Sequence, residues 1–212
     1  MAIQTTELIA LDTSGVAAEL VFGSIDGIFS VLGIIAAGGS ASLTSLQIFA
    51  TGLGGAAAGA LSVFAATYLS QTTEKKTRLL NAWESSKNAL RKTRDSNGQR
   101  REPTKKDHAK FHEMLSKVHR RALLSGFVTS FTSSMASLAL LLPLVFLTAS
   151  YSVSVSILAG IGLLSLLGAF RGVTLKQSAA KSAIKMVILG VIIIIAARIL
   201  GTWVQTLFLP TA

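Results

Sequence analysis

The sequence contains no cysteine, so a disulfide framework, a thiolate metal site and thiol-based catalysis are all excluded. Charge is scarce too. Only 14% of the 212 residues are charged while 50% are hydrophobic, which is too few charges to cover an ordinary soluble surface. A bilayer is the solvent such a composition calls for. Lysine and arginine are absent from residues 1–70, where the only charges are Glu7, Asp12, Glu19 and Asp26. The opening MAIQTTELIALDTSG therefore lacks the positive n-region of a cleaved leader, and residues 1–15 are expected to be a retained tail. Phosphate loops, nucleophile–base pairs and metalloprotease helices are also missing from the motifs. No enzyme and no permanently bound cofactor are expected.

What is present in abundance is apolar helix. Crossing about 30 Å of hydrocarbon takes about 20 mostly apolar residues, and a helix is required because lipid offers no partner to a free backbone group. Five stretches qualify: 16–38, 46–70, 122–147, 152–170 and 183–208. The expected fold is all-α, an integral membrane protein of five transmembrane helices with a helical cytosolic insertion at 71–121 between the second and third.

That insertion holds 15 Lys/Arg against 6 Asp/Glu, a net charge of +9 within a chain total of +10. Apolar spans flank it on both sides, so it reports topology through the positive-inside rule rather than nucleic-acid binding. With 71–121 in the cytosol, the N-terminus is cytosolic and the C-terminus outside or lumenal. Arg171, Lys176, Lys181 and Lys185 then fall on the cytosolic side, and the outer connections at 40–45 and 148–151 carry no charge. Two amphipathic helices are expected in the insertion, one bearing Leu79, Leu80, Trp83 and Leu90 and the other Phe111, Leu115 and Val118, with a break at Asp95-Ser96-Asn97-Gly98 and a restart at Pro103. Their basic faces could take anionic lipid. In the second span, Gly55 and Gly59 form a small-xxx-small step suited to close packing, either within one subunit or between two.

Asp26 lies about ten residues into the first span, hence about 15 Å deep and near the bilayer centre. A carboxylate there costs several kcal/mol unless it faces water or a partner, so it marks an ion or proton path. The bland alternative is a structural acid paired with a base such as Arg198. Glu19, in the first turn of the span, is either a vestibule acid or a helix-start charge. Hydroxyls are frequent: Ser30, Ser62, Thr67 and Tyr68 on the first two spans, and Thr129, Ser130, Thr132, Ser133, Ser134 and Ser137 on the third. They can coordinate a hard cation or bond back to their own helices. His108, His112 and His119 share one side of a helix, and Glu113 beside His112 makes a transition-metal site conceivable there; a solvated helix face is the simpler expectation.

The run VFGSIDGIFSVLGIIAAG at 21–38 resembles the first span of the vacuolar iron transporter (VIT) family, with its mid-helix Asp-Gly pair. AGALSVFAATYLS at 58–70 is similar to the family's second span, the segment ending in Pro143 to its third, and the stretch from Lys181 through Arg198 and Gly201 to its last. The resemblance implies a homodimer of five-helix subunits that moves Fe(II) or Mn(II) out of the cytosol in exchange for protons. It matches Asp26 to the transport carboxylate, with Ser62, Thr67 and Tyr68 along the path. Val63 stands where the family has a methionine and Thr67 where it has a glutamate, which leaves a site of one carboxylate, hydroxyls and water. The competing expectation is a non-transporting membrane scaffold whose basic helices hold anionic lipid or an acidic partner.

Overall fold

The computed structural model describes the backbone of residues 12–92, 105–174 and 176–208, with side chains from residue 18 onward except at 89–92, 105–106 and 149–150. Five α-helices follow one another: α1 (Asp12–Ser40), α2 (Ser45–Lys92), α3 (Lys105–Phe146), α4 (Ala149–Thr174) and α5 (Ala179–Phe208). Each carries a stretch long and apolar enough to cross a membrane. No strand occurs among the described residues.

The two helices expected in the insertion are continuous with the flanking spans. α2 runs unbroken for 48 residues and α3 for 42, about 72 Å and 63 Å of helix, or twice the hydrocarbon thickness. The basic segment is therefore a continuation of the second and third spans. Nothing at 70–73 or 119–122 would stop a helix, since neither glycine nor proline occurs there. The expected break at Asp95–Gly98 and restart at Pro103 lie outside the described residues.

The chain divides into two compact units. The first comprises residues 1–63 and 128–212. Its core is aliphatic: Ile28, Val31, Leu32 and Ile35 of α1 are fully buried, together with Leu140 and Leu141 of α3 and Leu164 of α4. In lipid there is no hydrophobic force between helices, so close backbone approach carries the packing. Three glycine contacts supply it. Gly23 and Gly27 of α1 lie against the Thr129 and Ser133 carbonyls of α3, Gly168 and Gly172 of α4 against Ala183 and Ala179 of α5, and Gly201 of α5 against the backbone of Ala37. The α1–α2 turn is closed by a capping box, in which the Gln47 amide donates to Thr44 Oγ1 at 3.3 Å and the Thr44 amide donates to Gln47 Oε1 at 2.9 Å.

The second unit, residues 64–127, is an antiparallel helical hairpin. Gly126 lies under Phe64, Tyr68 faces His119, and Trp83 meets His108 and Phe111, which fixes the register. Leu79, Leu115 and Val118 are half-buried along the seam, as their spacing predicts, whereas Leu80 is exposed. Leu90 lies outside the described side chains.

Candidate functional site

α1 presents two distinct faces around Asp26. On one, Gly23 and Gly27 are buried so tightly that a Cβ at either would run into a carbonyl of α3. On the other, Phe22 and Ser30, each four residues from Asp26, are exposed, and Asp26 between them is half-buried. The carboxylate thus stands on the open stripe of α1, next to the glycine face that is locked against α3. Among the described residues no ion pair joins Asp26 to Arg198, which is exposed on α5. The structural pairing entertained for Asp26 is absent from this geometry.

The hydroxyls of α3 separate into two groups. Thr132 and Ser134 bond back to their own helix, Thr132 to the Val128 and Thr129 carbonyls at 3.0 Å and Ser134 to the Ser130 carbonyl at 3.0 Å, the local use such residues make of a helix. Thr129, Ser133 and Ser137 recur every four residues and are buried beneath α1. Ser137 donates across the seam to the Gly27 carbonyl at 3.2 Å, one residue from Asp26. The signal for this seam was available in the sequence as the Gly-x-x-x-Gly step at 23 and 27. The step at Gly55 and Gly59 behaves otherwise: Gly55 meets only the tip of Ile34, and Gly54 and Gly59 have open space around them.

The remaining candidates are distributed over both units. Ser62 is exposed on α2 in the first unit. Thr67 and Tyr68 are half-buried in the hairpin unit, where Tyr68 shares a hydrogen bond of 3.2 Å with His119 Nδ1. Glu19 is half-buried on the first turns of α1. Glu113 is held by Lys117 at 2.7 Å, His108 packs edge-on against Trp83, and His112 packs against Phe111. Among the described residues no group of three His, Cys, Asp or Glu could hold a metal ion. A cavity of about 280 Å³ at the α1–α2 turn, walled by Ile34, Ala37, Leu43, Ile48, Leu200 and Val204 among others, is apolar and does not include Asp26; it offers a hard cation no ligands. Along the open stripe of α1 the donors are one carboxylate, Asp26, and the Ser30 hydroxyl four residues on, a set suited to a weakly held, partly hydrated cation.

Comparison with known families adds one match. The model of the VIT family aligns with residues 17–102, a stretch that contains Asp26, Ser62, Thr67 and Tyr68. No curated protein matches the chain.

Proposed function

As this chain is a member of the VIT family, a family of membrane metal and ion transporters, we propose that it moves a divalent cation, Fe(II) or Mn(II), out of the cytosol in exchange for protons, with Asp26 as the residue that binds the ion. The observation that carries this reading is the position of Asp26: an acid in the middle of an apolar helix, on its open stripe, without an ion-pair partner among the described residues. Such an acid is retained at a cost of several kcal/mol, and an ion path is the use that justifies it. Ser62, Thr67 and Tyr68 of α2 are further lining residues, as the family resemblance implies. The basic hairpin repels a divalent cation, so it does not collect metal. Its charge instead sets the orientation, with the N-terminus in the cytosol and the C-terminus outside or lumenal.

The working form is a homodimer. Gly54 and Gly59 face open space, and Ala57, Ala58 and Ser62 beside them are exposed, a small-residue surface suited to a second copy of the same helix. Reconstitution into vesicles carrying metal- and pH-sensitive dyes tests the transport. Flux of Mn(II) or Fe(II) with opposing proton movement is expected. Metal flux no greater than in empty vesicles would overturn the proposal.

A further inference from the structure

The elbow between α4 and α5 collects four cations and no anion. Arg171 closes α4, Lys176 lies in the connection, and Lys181 and Lys185 occupy the first two turns of α5; all four are exposed. No acidic residue follows Glu113 anywhere in the sequence, and none of the four stands in an ion pair among the described residues. Their crowding is enforced, because Gly168 and Gly172 bring the two helices into backbone contact at Ala183 and Ala179.

Two details make this arrangement unfavourable for the fold alone. Lys181 and Lys185 sit at the N-terminal end of a helix, whose partial positive charge disfavours cations, and α5 has no acid in its first turn to offset them. Lys176 has a φ of 54°, the left-handed conformation that glycine adopts without cost. It ends α4 in a Schellman motif, with the Gln177 amide donating to the Gly172 carbonyl at 2.8 Å and the Lys176 amide to Val173 at 3.1 Å. A lysine placed where glycine fits best, beside three unpaired cations, is accounted for by an anion that all four approach. Phe170, Val173, Ile184 and Ile188 are exposed around them, an apolar flank that suits acyl chains and not a free anion in water.

We propose that the α4–α5 elbow is a binding site for an anionic phospholipid, its phosphate held by Arg171, Lys176, Lys181 and Lys185 and its chains resting on the flanking apolar residues. The site lies at the surface of whichever leaflet it faces; on the proposed orientation that is the cytosolic one.

The test uses the purified, delipidated full-length protein. Phosphatidylglycerol, phosphatidylcholine and inorganic phosphate are titrated separately, with bound lipid counted by native mass spectrometry and melting temperature followed in parallel. Phosphatidylglycerol is expected to bind and raise the melting temperature, while phosphatidylcholine and inorganic phosphate do neither. Each cation removed should weaken phosphatidylglycerol binding about fivefold, so Lys181→Gln with Lys185→Gln loses about 25-fold. Lys176→Gly separates binding from folding. It should melt higher than the parent without lipid, because glycine relieves the left-handed residue, yet bind phosphatidylglycerol about fivefold more weakly. Undiminished phosphatidylglycerol binding in these variants, or an equal response to inorganic phosphate, would overturn the proposal.

Discussion

Replacing Asp26 by asparagine is expected to lower metal flux at least about 100-fold while leaving the protein folded. Apart from Glu19, two turns away near the start of the first span, Asp26 is the only acid in the five expected spans, so no carboxylate at its depth can take over its charge. Losing a charged ligand from a partly desolvated site costs about 3 kcal/mol, which corresponds to about two orders of magnitude. The effect on stability has the opposite sign. The amide is nearly the same shape but spares a half-buried position the desolvation of a charge, and no ion pair is lost among the described residues. Flux per folded molecule and thermal melting, measured on the same preparation, separate the two effects. Retention of more than a tenth of the parent flux would exclude Asp26 as the ion ligand.

Gly27→Val acts on the fold. A Cβ at Gly27 would strike the Ser133 carbonyl and come within 2.9 Å of Ser137 Oγ. The first obstacle is backbone and cannot rotate away. α1 would have to leave α3, breaking the 3.2 Å bond from Ser137 and opening the contacts that stand in for hydrophobic drive inside lipid. A destabilisation of about 3 kcal/mol or more is expected, seen as loss of the monodisperse species on size-exclusion chromatography. Gly162→Val is the control: nothing lies within 4 Å of that position, and the fold should be unaffected. Equal behaviour of the two variants would contradict the packing described for α1.

The spans and Asp26 were legible in the sequence because the bilayer imposes both a length and a penalty: about 20 apolar residues make a crossing, and an acid inside one stands out. The continuity of α2 and α3 was harder to see. A polar amphipathic stretch after residue 70 has the same helical periodicity whether or not the helix breaks there, and only the lack of glycine or proline at the junction argued for an unbroken helix. Glycine patterns say that a helix can be approached closely but not by which neighbour; Gly23–Gly27 and Gly55–Gly59 are the same signal, yet only the first is filled within the chain. The histidines were ambiguous for a related reason. Their shared face was visible from spacing, whereas their partners Trp83, Phe111 and Tyr68 include residues more than 20 positions away, brought close by the hairpin.

If Asp26 binds the ion, the Phe22–Asp26–Ser30 stripe of α1 borders water and ion rather than lipid. Because the chain has no cysteine, Ser30→Cys introduces a single thiol on that stripe, and a thiol reacts only where it can ionise. In reconstituted vesicles a water-soluble thiol reagent is expected to label this cysteine, and Mn(II) is expected to slow the labelling. A cysteine at position 30 that stays unlabelled, or whose labelling ignores Mn(II), would contradict the account.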